Sequence, residues 1–153
     1  MSDIEARLRA IEDRAAIEDV LLAYYAAVDS MCDLDGLVDC FTSDAVLDVG
    51  DLGLSRLVGH DAIRAFFAGV FRDTAHHAHH ISNVRISRLE CDEATAHGYV
   101  FAKAKGVGGL ELFVHCKYDI ELVRTAAGWK MCLFDEDAQI PIGDEVSALH
   151  AGH

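Results

Sequence analysis

Asp73-Thr74-Ala75-His76-His77-Ala78-His79-His80-Ile81-Ser82-Asn83-Val84-Arg85-Ile86 is where the chain changes its hydrophobic period. Before it the apolar residues recur at helical spacing, and after it they mostly alternate. On the N-terminal side Ile4, Leu8, Ile11 and Ala15, then Ile17, Leu21, Tyr24 and Val28, trace helix to about Ser30. The phase slips near Asp13-Arg14, which predicts a helical arm over about residues 1–12 ahead of a main helix. Val20 to Val28 carries no charge, and a helix apolar on every side is expected to be buried on every side. Asp33 can cap a second short helix through Leu34, Leu37, Val38 and Phe41, broken by Thr42-Ser43-Asp44. Ala45 to Val49 then reads as strand, Gly50 to Gly53 as a turn, and Leu54 to Val58 as the returning arm of a hairpin. Gly59-His60-Asp61 opens a helix with Ile63, Phe66, Phe67, Val70 and Phe71 on one broad face.

On the C-terminal side the candidate strands are His79 to Leu89, Ala94 to Lys105, Leu110 to Val123 and Trp129 to Asp137. Turn signals separate them at Cys91-Asp92-Glu93, Gly106 to Gly109 and Ala126-Ala127-Gly128. Helices first and long antiparallel strands afterwards predict an α+β domain. The helices would cover one face of a curved sheet and leave a pocket between the layers. The 153 residues suit one domain spanning 1–153, with a flexible tail over about 142–153.

Thirteen basic against twenty-six acidic side chains give a net charge of −13, the wrong sign for neutralising phosphates, so nucleic acid is not an expected partner. The chain has no apolar run long enough to span a bilayer, and its start is acidic where a secretory signal would be basic. The expectation is a cytoplasmic protein with no membrane partner. Five cysteines (Cys32, Cys40, Cys91, Cys116, Cys132) are odd in number and lack Cys-x-x-Cys spacing, which argues against a disulfide framework and a thiolate zinc site. Nucleotide-binding glycine loops and the serine-hydrolase elbow are absent.

Chemistry concentrates at Tyr24 to Asp29 and at His76 to Asn83. Asp29 closes an uncharged helical run, where a carboxylate opposes the helix dipole, so local helix stability does not account for it. A buried acid needs a partner, and an imidazole suffices; the competing reading has Asp29 capping the turn at Met31. In extended chain His77, His79, Ile81 and Asn83 share one face, and His76, His80, Ser82, Val84 and Ile86 the other. Val84 and Ile86 mark the apolar face, which turns His80 inward and His79 outward unless a bulge intervenes. His77 and His79 with a distant His97 or His115 would be the metal-binding alternative, but no carboxylate completes the set and no metal is expected. On the later strands His97, Tyr99, Phe101 and Lys103 share a face, as do Phe113, His115, Lys117 and Asp119, and as do Trp129, Met131, Leu133 and Asp135. Phe67, Phe101, His115 and Asp135 are taken from these elements as candidate pocket walls, together with Tyr25 and Asn83. Exposed strand faces predict a homodimer or homotrimer.

Across nearly its whole length the chain resembles the SnoaL-like families of the nuclear-transport-factor-2-like fold. The matching pieces are Arg14-Ala15-Ala16-Ile17, Tyr24 to Asp29, Cys40 to Ala45, Gly59 to Ile63, His79 to Asn83 and Gly128-Trp129-Lys130. The resemblance implies a cone-shaped α+β barrel with an enclosed pocket. In the dehydratase and dehydrochlorinase branch of these families an aspartate after the first helical run pairs with a histidine four residues before an asparagine. Those positions fall on Asp29 and His79. The resemblance further implies a cofactor-independent lyase for a small apolar substrate, aromatic ones included, with His79 as base, Asp29 as its orienting partner, and Tyr24 or Tyr25 bonding the departing or carbonyl oxygen. Isomerases and noncatalytic subunits of ring-hydroxylating dioxygenases share the fold and are the alternatives.

Overall fold

The computed structural model describes residues 2–143. Their order is α1 (Asp3–Ser30), α2 (Leu34–Asp39), β1 (Phe41–Asp48), a short 3₁₀ turn (Gly50–Leu52), β2 (Arg56–Val58), α3 (His60–Asp73), β3 (Thr74–Leu89), β4 (Glu93–Gly106), β5 (Glu111–Thr125) and β6 (Gly128–Ala138). The tail expected over about 142–153 lies almost wholly outside the described residues, although Ile142 still packs on the core.

Ser2 starts α1 by a reciprocal cap: its hydroxyl accepts the Glu5 N–H at 3.3 Å and the Glu5 carboxylate accepts the Ser2 N–H at 2.6 Å. The helix then runs without a break to Ser30. The phase slip near Asp13 is therefore not a boundary, and the arm is simply the outer part of α1, where Ile4, Leu8 and Ile11 are exposed. Asp13 itself turns inward. Its carboxylate accepts Arg124 Nη2 at 2.7 Å and the buried Trp129 Nε1 at 3.2 Å, with Arg9 at 3.8 Å. A polar residue on the core side reads in sequence as a slip, yet here it ties the helix to β5 and β6. Burial alone would push the Asp13 carboxyl up, but the donors Arg124 and Trp129 and the charges of Arg124 and Arg9 hold it below its ordinary value.

Asp13→Ala strands a buried indole N–H and removes one partner of the partly buried Arg124 guanidinium, which keeps Asp92 and the Cys91 carbonyl. It is expected to cost about 2–3 kcal/mol at neutral pH, read as a lower urea midpoint. An unchanged midpoint would show that the tie contributes nothing. Because the folded-state carboxyl is held down, the wild type should lose this contribution as pH falls through that lowered value.

The uncharged run Val20 to Val28 is not buried all round. Leu21, Tyr24, Tyr25, Ala27 and Val28 are buried, whereas Leu22 is 61% exposed and Ala23 and Ala26 face outward. Asp33 caps α2 as expected, accepting the Gly36 N–H at 2.9 Å. Thr42-Ser43-Asp44 does not delay the strand, which is anchored on β6 ahead of it: Phe41 pairs with Met131, the Met131 N–H reaches the Cys40 carbonyl at 2.9 Å, and regular pairing resumes at Val46. Gly59 turns the chain into α3 at φ 84°, a region that favours glycine, and a Cβ there would sit 3.3 Å from the Ser43 carbonyl oxygen. His60 Nε2 secures the same corner against the Phe41 carbonyl at 3.0 Å.

The helices pack on one face of a curved, open six-stranded sheet ordered β2-β1-β6-β5-β4-β3, with β1 parallel to β6 and the other neighbours antiparallel. This is the α+β layout that the order of periods predicts. Alanines 94, 96, 102 and 104 face the helices from β4 and make room for the large side chains opposite, so Tyr99, Phe101 and Lys103 face the other way. Ile17, Leu37, Phe41, Leu47, Ile63, Ile120, Leu122, Met131 and Phe134 fill the space between the layers. The five cysteines carry no disulfide. Among the described residues no helix is long and apolar enough to cross a membrane.

Two register shifts decide which way the candidate site residues face. On β3, which is also irregular at Thr74–His76 and Ile86–Arg88, Ser82 pairs with Tyr99 but Arg85 pairs with His97, so the strand carries one extra residue there, and Asn83 takes φ 54°. On β6, Leu133 pairs with Glu121 but Met131 pairs with Leu122, which leaves Cys132 as the extra residue. Each insertion reverses the alternation beyond it.

Candidate functional site

The β3 bulge turns His77 and His79 to the same side as Ile86. Opposite them on β4 lie the inward residues Ala104 and Ala102, and Ile86 pairs with the inward Ala96. His80 pairs with Phe101 and faces outward. Asparagine adopts the left-handed conformation more readily than most residues, so Asn83 makes the reversal inexpensive.

Asp29 leaves the end of α1 toward β3. Its Oδ1 lies 2.7 Å from His79 Nδ1, and its Oδ2 accepts the His79 backbone N–H at 3.1 Å. A carboxylate only accepts, so Nδ1 carries the proton, and in the neutral ring Nε2 keeps its lone pair. The turn after α1 is held instead by Ser30, whose hydroxyl accepts the N–H groups of Cys32 and Asp33 at 3.3 Å each. The capping role considered for Asp29 therefore belongs to its neighbour. The pair is not wholly buried: the His79 side chain is 9% exposed, but that of Asp29 is 33% exposed.

Beside the pair is a narrow cavity of about 100 Å³ between α1, α3, the turn after β1 and the inner faces of β3 to β6. Tyr24, Phe66, Phe67, His77, His79, Tyr118 and Glu136 line it, with aliphatic side chains between them. A cavity of about 150 Å³ holds a benzene-sized molecule, so one small ring is the upper limit of a ligand enclosed here. Tyr24 is packed edge-on against Phe41 and Phe67 and is fully buried, which pushes its hydroxyl well above the ordinary range. Tyr25 stands behind the wall, with its ring 5.9 Å from the His79 ring and stacked on Tyr118 at 5.9 Å.

Of the residues singled out in the sequence, the structure brings Tyr24, Phe67 and His79 to the cavity, with Asp29 and Tyr25 supporting His79. Asn83, Phe101 and His115 are not there. They line a shallow open groove on the outer face of the sheet, because β4 and β5 present Ala102 and Val114 inward instead. Asp135 is also displaced: the bulge at Cys132 turns it outward, opposite Asp48 on β1 and Asp119 on β5. Partial burial and the neighbouring carboxylates of Asp137, Asp48 and Asp119 raise its carboxyl above the ordinary value. The inward acid of β6 is Glu136; it and Tyr118 are cavity residues not named from sequence, and His77, considered there only as a metal ligand, lines the cavity with them. Glu136 stands in the run Asp135-Glu136-Asp137, where simple alternation from Trp129 selects the wrong members.

Asp29, His77 and His79 offer ligand atoms within 4.8 Å of one another, a two-histidine, one-carboxylate set of the kind that suits zinc or ferrous iron. The fit is poor as the side chains stand. Asp29 Oδ1 and His79 Nδ1 already face each other at hydrogen-bonding distance, and a metal drawing on that oxygen would have to separate them.

A curved sheet roofed by three helices, with Asp29 of α1 against His79 of β3 beside an apolar cavity, defines the class, and residues 9–135 match the SnoaL-like domain. The chain belongs to the SnoaL-like family of the nuclear-transport-factor-2-like fold. It is 40% identical to a candidate aromatic ring hydroxylase from Novosphingobium aromaticivorans, covering 89% of this chain and 97% of that one with a TM-score of 0.84. More distant structures share the fold. A candidate scytalone dehydratase from the same organism is 19% identical with a TM-score of 0.78, covering 86% of this chain and 87% of that one. A hexachlorocyclohexane dehydrochlorinase from Novosphingobium barchaimii is 20% identical with a TM-score of 0.77, covering 88% and 91%. No protein of curated function matches the sequence significantly.

Proposed function

We propose that this protein is a cofactor-independent lyase, which removes water from a small, largely apolar substrate of about single-ring size. The observation that carries the reading is the 2.7 Å contact between Asp29 and His79 at the wall of an apolar cavity. Asp29 fixes the ring by two contacts and directs the proton to Nδ1, which leaves Nε2 as the base that takes a proton from carbon. Asp29 then faces the positive charge that the ring acquires. Tyr24 offers a hydroxyl from within the cavity wall to a carbonyl or departing oxygen. The family's dehydratase and dehydrochlorinase members have the same fold and support this class of chemistry.

A panel of small secondary alcohols with an acidic neighbouring C–H tests the proposal. Chelator-treated protein should release water and form the unsaturated product, and turnover should be unchanged by the chelation. Deuterium uptake from solvent without loss of water would replace elimination with isomerisation, and inactivity restored only by a metal would overturn the base assignment. The 40% identity to a candidate aromatic ring hydroxylase favours one second reading, a noncatalytic partner of a ring-hydroxylating oxygenase. Copurification with a larger oxygenase chain, together with an inactive isolated protein, would establish that instead. A homodimer or homotrimer belongs to the main proposal, since Phe101 and Phe113 are exposed on the outer sheet face. A monomer by light scattering would remove that part.

A further inference from the structure

Glu136 is the cavity residue that the Asp29-His79 pair leaves without a task. The β6 bulge turns it inward, and it is 9% exposed. Its surroundings are Tyr24 and Tyr25 from α1, Cys116 and Tyr118 from β5, and, along the same cavity, His77 and His79 from β3. Among the described residues no lysine or arginine lines the cavity to balance its charge. A carboxyl so placed is costly as an anion and retains its proton. Burial pushes Glu136 up to about 7, and hydrogen bonds from Cys116 and Tyr118 only partly pull it back. An apolar or amide side chain would occupy this wall without that cost.

We propose that Glu136 is the general acid of the site and that the substrate's leaving group is therefore a hydroxyl rather than a halide. The inference rests on the lyase reading and narrows its substrate class. A hydroxyl leaves poorly without a proton, whereas chloride leaves as a stable anion. Two titratable groups on one cavity can divide the work, one accepting and one donating. His79 Nε2 bonds the proton from carbon, and the C–H electron pair becomes the new π bond. The C–O bond breaks with its electron pair on oxygen, that oxygen takes the Glu136 proton, and water departs. The cycle leaves a protonated His79 and an ionised Glu136. One proton passing between them through water restores both, with no oxidant or reductant required.

The test has two arms. In the first, which needs no substrate, the infrared band of a protonated carboxyl is recorded for wild type and Glu136→Gln across neutral pH. The band should titrate near 7 in the wild type and be missing from the variant; a Glu136 already ionised in the ordinary carboxylate range overturns the proposal. In the second, a β-phenyl-β-hydroxy ketone and the matching β-chloro ketone are compared as probes, each corrected for spontaneous elimination. Glu136→Gln should slow loss of water by about a hundredfold or more and leave loss of chloride near wild type. Equal slowing of both, or of neither, overturns the role as acid. His79→Ala separates the two levels of the argument, because it should disable both reactions; if it spares both, the lyase reading itself fails whatever Glu136 does. Glutamine is nearly isosteric, and a thermal melt of the same sample confirms that the variant is folded.

Discussion

His79→Ala is expected to lower turnover of an eliminable alcohol by about a hundred- to ten-thousand-fold, the usual contribution of a positioned general base. His77 lines the same cavity, but it is the His79 ring that the Asp29 carboxylate holds at 2.7 Å, so the positioned base is His79. Asp29→Asn should fall in a similar range despite its nearly unchanged shape. An amide can present its N–H₂ to Nδ1, which would then accept, so that the proton moves to Nε2 and the base disappears. The informative comparison is between kcat and KM. Both variants should keep a KM close to wild type, because the lost interactions act on the moving proton and not on the bound substrate. Wild-type-like turnover by His79→Ala would end the assignment, and full activity in Asp29→Asn would show that the ring needs no orientation from α1.

The sequence carries the layers of this fold well and its inner surface less well, and the reason is local. Helical spacing through Ile17, Leu21, Tyr24 and Val28 marks buried positions correctly, as do Ile63, Phe67 and Val70 on α3. Alternation on β4 and β5 also holds over thirteen consecutive pairs without a shift. What alternation does not say is which of the two faces meets the helices. On β4 the inward face is the small one, so large residues such as Phe101 look like walls and are not. A bulge is harder still to read, since one inserted residue leaves composition and propensity almost unchanged while it reverses every later side chain. Strict alternation turns His80 inward and selects Asp135. The observed shifts at Asn83 and Cys132 turn in His79 and Glu136 instead. Asn83 is the one legible clue, a residue that tolerates positive φ placed four positions after the histidine it helps to orient.

Glu136→Gln is expected to make the protein more stable in mild alkali while leaving it nearly unchanged in acid. In the folded chain the Glu136 carboxyl is raised to about 7, and in the unfolded chain it returns to its ordinary value of 4.5. Below that lower value both states hold the proton, and the acid carries no penalty. Between the two values the unfolded state has released its proton and the folded state has not, so wild-type stability falls as pH rises. Above the folded-state value both are ionised and the full penalty remains, about 3 kcal/mol for a shift of this size. Glutamine never ionises, and its carbonyl oxygen can still accept from Tyr118 and Cys116. Its advantage should therefore grow through that window to roughly 2–3 kcal/mol, or a melting temperature roughly 5–10 °C higher. The contribution of Asp13 runs the other way with pH, but it is common to both proteins and cancels in the difference. Urea unfolding of the pair at about pH 4 and about pH 8 measures the effect, and a stability gap that did not change between them would mean that Glu136 pays no charge penalty in the fold. A variant that gains stability where it loses water-eliminating activity would identify this acid as one kept for chemistry at the expense of the fold.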